Sequence, residues 1–88
     1  MTKEEIRYLV QDLIEELRKF SNGTEITSAQ LLTRSGYDPG KLTEEDLFEY
    51  HETLFIEAER NHIILDMSKH ENKVEGLPWN LDFMVLKR

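Results

Sequence analysis

Apolar residues recur at helical spacing through the first 20 residues of the chain. Thr2 and Glu5 stand three residues apart, which is the spacing of a capping box at a helix start. The pattern therefore predicts an amphipathic helix that stops at residues 21–23, Ser-Asn-Gly, because Asn and Gly accept the positive φ of a helix end. Its apolar positions are Ile6, Leu9, Val10, Leu13, Ile14, Leu17 and Phe20.

A short extended piece and a short helix are expected next. Residues 24–26 have the composition of a brief strand, and Thr27 with Gln30 repeats the capping-box spacing. Gly36 then ends a helix of about two turns. The sequence Asp-Pro-Gly at residues 38–40 predicts a turn, because Pro presets φ at its second position.

The third predicted helix is the longest. Thr43 caps it, acidic residues fill its first turn, where the helix dipole favours negative charge, and Asn61 ends it. Its length is about 17 residues, and its apolar positions form one continuous face. These positions are Leu47, Phe48, His51, Leu54, Phe55 and Ala58.

Two alternating apolar segments follow. Residues 62–67 and 81–86 predict an antiparallel pair of strands, with residues 68–80 as a long hairpin tip. The fold class is therefore α+β, with three helices followed by a C-terminal two-stranded antiparallel hairpin. The predicted core consists of Ile6, Leu9, Val10, Leu13, Leu17, Leu31, Leu47, His51, Leu54, Phe55, Ile63, Leu65, Phe83 and Val85.

The order of these elements resembles the winged-helix arrangement, and residues 1–88 are expected to form a single winged-helix-like domain. Two segments carry a second resemblance: residues 23–27, Gly-Thr-Glu-Ile-Thr, and residues 76–83, Gly-Leu-Pro-Trp-Asn-Leu-Asp-Phe. They are similar to small uncharacterised proteins of Gram-positive bacteria and their mobile elements. That resemblance implies no established activity.

The amino-acid composition indicates the cellular environment in which the protein is expected to fold. The 88 residues include no Cys, which excludes disulfides, thiolate zinc sites and cysteine nucleophiles, and suits a reducing cytoplasm. No apolar run approaches the roughly 18 residues of a membrane span, so no membrane contact is expected. We therefore expect a soluble cytoplasmic protein.

Residues with catalytic or metal-binding chemistry do not form a recognisable site. His51, His62 and His70 are not spaced three or four residues apart on one helix. His51-Glu52 begins like the metalloprotease signature, but Phe55 stands where the second His belongs. The sequence has neither a phosphate-binding Gly-rich loop nor a nucleophile elbow. We expect no metal, no cofactor and no enzymatic activity.

The charge of the chain is concentrated on the third helix. The formal net charge is -7, and residues 43–60 contain seven acidic side chains and one Arg. Winged-helix proteins commonly place their third helix in the major groove, where such a helix would be repelled by phosphates. Nucleic acid is therefore disfavoured as a partner.

Protein contact is the remaining interpretation. An anionic stripe of Glu45, Glu49, Glu52 and Glu59 suits a basic protein partner, although the same residues could be only a solvated face. Leu77 and Trp79 form a second candidate surface, or else a lid on the core. A DNA-mimicking inhibitor, a DNA-binding regulator that uses another face, and a homodimer all stay open.

Overall fold

The computed structural model describes residues 1–67 and 81–88, which contain three α-helices and three β-strands. The helices are α1 (Lys3–Arg18), α2 (Ser28–Arg34) and α3 (Glu44–Arg60), and a 3-10 turn covers Pro39–Lys41. The strands are β1 (Thr24–Thr27), β2 (Ile63–Asp66) and β3 (Asp82–Lys87). The predicted order of elements is confirmed for these residues.

The first two helices begin with the predicted capping boxes. The amide of Glu5 donates to the Thr2 hydroxyl at 3.2 Å, and the amide of Thr2 donates back to the Glu5 carboxylate at 3.0 Å. Thr27 and Gln30 repeat both hydrogen bonds at the start of α2, at 3.1 and 3.0 Å. Each box satisfies backbone donors that have no partner within the helix.

The sheet has three antiparallel strands in the order β1-β3-β2, so the predicted two-stranded hairpin is wrong in its strand count. Ile26 of β1 pairs with Phe83, and Leu65 of β2 pairs with Val85. Gly23, at φ +89°, turns the chain so that its amide donates to the Val85 carbonyl at 2.7 Å. The extended piece that the sequence predicts is therefore an edge strand.

The core lies between α1, α3 and one face of the sheet. All the predicted core residues are buried except Phe55, which is half-buried and meets the Phe83 ring edge-on at a centroid distance of 6.1 Å. Phe55 therefore packs against the edge of the core and is not one of its fully buried residues. Six buried hydrophobic residues of the described chain were not in the predicted core: Ile14, Phe20, Ile26, Leu32, Tyr50 and Ala58.

The buried stripe of α3 is rotated relative to the predicted one. Phe48, which the periodicity placed on the apolar face, is 53% exposed, whereas Tyr50 is fully buried. The hydroxyl of Tyr50 donates to the Ser28 carbonyl, so this polar atom is satisfied in the interior. Because Tyr50 takes an interior position, the helix turns Phe48 towards solvent.

The C-terminal ends of α1 and α3 lie together, as do their N-terminal ends. The guanidinium of Arg18 donates to the side-chain carbonyl of Asn61, and at the other end the amino group of Met1 lies 3.1 Å from Asp46. Asn61 ends α3 as predicted, but the positive φ falls on the next residue, His62, at +62°. The two long helices therefore run in the same direction.

Candidate protein-binding surface on the third helix

Both ends of α3 are capped. At its start the amide of Asp46 donates to the Thr43 hydroxyl, and the amide of Thr43 donates to the Asp46 carboxylate, both at 3.1 Å. These backbone hydrogen bonds, together with the Met1 amino group, hold the pKa of Asp46 below its usual value. At the other end, the Asn61 side chain donates to the Glu57 carbonyl at 2.7 Å. α3 is therefore a regular helix of 17 residues with a defined start and a defined end.

One side of α3 is buried, and this decides which residues reach its surface. The buried residues recur at intervals of three and four and are Asp46, Leu47, Tyr50, His51, Leu54 and Ala58. The opposite side, which we call the outer face of α3, consists of Glu45, Phe48, Glu49, Glu52, Ile56 and Glu59. Glu49 is half-buried and the other five are exposed. The structure thus brings the four sequence-predicted Glu residues onto one face.

Two apolar side chains interrupt the carboxylates on this face. Phe48 and Ile56 are 53% and 48% exposed. Ile56 lies four residues after Glu52, three before Glu59 and four before Arg60, so its charged neighbours on the helix surface are two Glu and one Arg. Ile56 is not among the site residues predicted from the sequence. The signal that could have identified it is an apolar residue outside the periodic apolar stripe of α3. The outer face of α3 therefore combines apolar contact area with negative charge.

The four carboxylates of the outer face are not neutralised within the described parts of the chain. The ion pairs recorded between described residues do not include Glu45, Glu49, Glu52 or Glu59. The ion pair within α3 joins Arg60 to Glu57 at 3.2 Å, on the flank of the helix. Within residues 1–67 and 81–88, the outer face therefore carries four carboxylates that form no ion pair with another described residue.

The second candidate surface predicted from the sequence consists of Leu77 and Trp79. Leu77 and Trp79 fall outside the described residues. The choice between an interface anchor and a lid therefore stays a prediction.

Basic residues gather where α1, α3 and β3 end. Arg18, His62, Lys87 and Arg88 line a cleft of about 260 Å³. The Lys87 ammonium donates to the carbonyl of Arg18 at 2.6 Å, and the Arg18 guanidinium lies 2.6 Å from Glu15. A cation at a helix C-terminus is favoured by the helix dipole. Arg18 and Lys87 therefore have structural contacts within the chain.

A larger groove of about 910 Å³ lies beside β1 and α2. Phe20 and Ile26 are among its lining residues, and the guanidinium of Arg34 stands 4.9 Å from the centre of the Phe20 ring. Arg34 also lies 3.7 Å from the Glu16 carboxylate. Arg34 is therefore held by an aromatic ring and a carboxylate of its own chain, so its charge is partly satisfied without a ligand.

His51 is a buried residue of α3. Its side chain is 5% exposed, its ring lies 4.9 Å from the ring of Tyr50, and burial lowers its pKa to about 4. At neutral pH the imidazole is therefore uncharged. Within residues 1–67 and 81–88 no three His, Cys, Asp or Glu side chains come together as metal ligands.

The described helices are short or rich in charged residues. None of them, in residues 1–67 and 81–88, has both the length and the apolar character needed to cross a bilayer. α3, the longest, has seven acidic side chains between Thr43 and Arg60.

Comparison with known proteins adds no family. No protein-family model, no curated protein and no solved structure matches the chain. Functional roles are therefore assigned from the chemistry of the surfaces described above.

Proposed function

We propose that this protein is a small, non-catalytic binding module of the cytoplasm that contacts a basic protein partner through the outer face of α3. One observation carries the proposal: two exposed apolar side chains lie among four carboxylates on a helix whose opposite side is packed into the core. Such a face offers apolar area for burial and charge for orientation.

The two kinds of side chain supply different parts of a protein interface. Removing Ile56 and Phe48 from water is favourable in proportion to the apolar area that a partner covers. The carboxylates around them attract a positively charged surface and disfavour partners of the wrong charge.

DNA mimicry is the second candidate, and the charge density of the helix argues against it. From Glu45 to Glu59 the helix rises about 21 Å, at 1.5 Å per residue, and carries four carboxylates on its outer face. Duplex DNA carries roughly 12 phosphates over the same length. Ile56 and Phe48 also have no counterpart on a phosphate backbone. A basic protein surface that also carries apolar residues therefore fits the outer face of α3 better than a DNA-binding surface does.

DNA binding through another face is the third candidate. The cleft of Arg18, His62, Lys87 and Arg88 is the surface that would serve it. Two of those cations already contact a carboxylate or a helix-end carbonyl, which weakens the case. A phosphate-contacting protein loses affinity steeply with salt, so absence of DNA binding at low salt would remove this candidate.

A winged-helix-like arrangement is part of the proposal. It is supported by the order α1-β1-α2-α3-β2-β3 and by the position of β3 between β1 and β2. In this arrangement α3 occupies the place of a recognition helix, but with a face suited to protein rather than to phosphates.

Two charge-matched double variants test the proposed function. Glu45→Lys with Glu52→Lys reverses two charges on the outer face of α3. Glu4→Lys with Glu15→Lys reverses two exposed charges on α1, and Glu4 occupies the same second helical position as Glu45. The two variants have the same net charge, so general electrostatics affects both alike.

The measurement is recovery of partners from the native cell lysate. We expect the partner bound by the natural protein to be retained by the α1 variant and lost by the α3 variant. Far-UV circular dichroism should show the same helix content in all three proteins. Equal retention by both variants would contradict the proposal.

A further inference from the structure

Glutamates on the outer face of α3 follow a seven-residue repeat. Glu45, Glu52 and Glu59 lie seven residues apart, and Phe48 lies three residues after the first of them. Phe55, at the same offset from Glu52, is half-buried against Phe83 and is not part of the outer face. Glu49 and Ile56 follow Glu45 and Glu52 at four residues. A seven-residue repeat is the spacing at which two α-helices remain in contact along their length. The outer face therefore has the geometry of one side of a helix pair.

We propose that the element bound at this face is a single amphipathic helix of the partner, with Lys or Arg at seven-residue spacing and apolar residues between them. This inference rests on the proposed function. The charges specify the basic positions, since a Glu at each repeat requires an opposite charge across the interface. Ile56 is exposed and lies between Glu52 and Glu59, so we expect the partner helix to place an apolar residue opposite Ile56.

The length of the face agrees with such a partner. The three Glu positions span about 21 Å, which corresponds to four turns of helix on either side of the pair. α3 is capped at both ends and packed on its inner side, so it does not have to fold when a partner binds. The loss of backbone freedom on binding would therefore fall on the partner segment.

A second copy of this chain does not fit the same face. In an antiparallel pair of α3 helices Glu52 would oppose Glu52, and Glu45 would oppose Glu59 of the other copy. In a parallel pair each Glu would oppose itself. Like charges at these positions disfavour association, so the repeat selects a different, basic partner. A homodimer through the outer face of α3 is therefore disfavoured.

Three synthetic peptides of 21 residues provide the test. The first carries Lys at every seventh position with Leu three and four residues later. The second has the same composition in scrambled order, and the third has Glu in place of each Lys. Binding is followed by amide chemical shifts of the isotope-labelled protein and by helix content on mixing. We expect only the first peptide to bind, to become helical and to shift amides along residues 45–60.

Charge reversal of both partners makes the test specific. Glu45→Lys with Glu52→Lys should weaken binding of the Lys peptide at least tenfold and should create binding of the Glu peptide. Glu4→Lys with Glu15→Lys should change neither. Because Lys near a helix N-terminus is unfavourable, Glu52→Lys alone provides a second variant. Equal binding of the scrambled peptide, or failure of the Glu peptide to bind the reversed protein, would overturn the proposal.

The two proposals fail in different ways. Suppose the natural partner is lost from the Glu45→Lys, Glu52→Lys variant but the Lys peptide does not bind. The outer face is then a protein-binding surface, and the helical partner is wrong. If the lysate partner is retained by that variant and the Lys peptide does not bind, both proposals are wrong.

Discussion

The hydroxyl of Tyr50 on α3 donates a hydrogen bond to the carbonyl oxygen of Ser28, the first residue of α2, at 3.1 Å. Tyr50 is fully buried, and burial raises the pKa of its phenol, so the hydroxyl keeps its proton and acts as a donor. Ser28 in turn binds Leu81: its amide donates to the Leu81 carbonyl at 2.7 Å, and its hydroxyl accepts from the Leu81 amide at 3.0 Å. This residue pair thus connects α2, α3 and the residue before β3.

Tyr50→Phe should lower the free energy of unfolding by about 1 kcal/mol. The substitution keeps the ring and removes one buried hydrogen bond, which is typically worth this amount. Urea denaturation followed by circular dichroism measures the change. The control is Tyr8→Phe, because Tyr8 is 67% exposed and should change stability by less than about 0.5 kcal/mol. Equal effects of the two substitutions would contradict the role given to Tyr50.

Ser28→Ala should cost more, about 1–3 kcal/mol, because it leaves the partly buried amide of Leu81 without its acceptor. Hydrogen exchange at the Leu81 amide should become faster than in the natural protein. Ser21→Ala is the control, since Ser21 is exposed and its side chain should contribute little. Unchanged exchange at Leu81 would show that another group replaces the hydroxyl.

His51 should make the fold sensitive to acid. Burial lowers its pKa from 6.5 to about 4, so the folded protein binds fewer protons than the unfolded chain between these values. Stability is therefore complete above pH 6.5 and falls as the pH decreases towards 4, by about 3 kcal/mol in total. Urea midpoints measured across this range test the expectation.

Two substitutions separate His51 from other titrating groups. His51→Leu should flatten the profile between pH 6.5 and 4, whereas His62→Asn, at an exposed position, should preserve it. Asn is chosen because it accepts the positive φ found at residue 62. A profile as steep in His51→Leu as in the natural protein would assign the acid sensitivity to another group.

The cap of α3 should be a second point of stability. Thr43→Ala removes the hydroxyl that accepts the Asp46 amide, and loss of such a cap costs about 1 kcal/mol. Thermal unfolding measures the effect. Thr53→Ala in the middle of the same helix is the control and should change stability by less than about 0.5 kcal/mol. Equivalent effects would mean that Thr43 contributes no more than an ordinary helix residue.

The capping residues were predictable because their hydrogen bonds join residues three positions apart. Thr2 with Glu5 and Thr27 with Gln30 form the predicted boxes with both bonds in place. Local spacing is sufficient for such contacts, since the helix itself brings the partners together. The concentration of acidic residues on α3 was also predictable, because it follows from the charges within one segment of the sequence.

The composition of the outer face of α3 was only partly predictable. Periodicity placed the four Glu residues on it, but it also assigned Phe48 to the apolar face of the helix and did not select Ile56. The difference is a rotation of the helix that buries Tyr50, whose hydroxyl finds an acceptor on α2. Helical periodicity reports which residues share a face, and the neighbouring elements decide how that face is turned.

Helix starts, helix ends, strand alternation and the charge of α3 follow from the amino-acid sequence, because each depends on residues within one or two turns of each other. Three features depend on tertiary structure. They are the pairing of β1 with β3, the burial of Tyr50, and the position of Ile56 and Phe48 among carboxylates. Ile26 finds Phe83, and Tyr50 finds Ser28, only when distant segments pack. Long-range packing is favoured by the total apolar area buried and by satisfied polar groups, and neither is a property of any short segment.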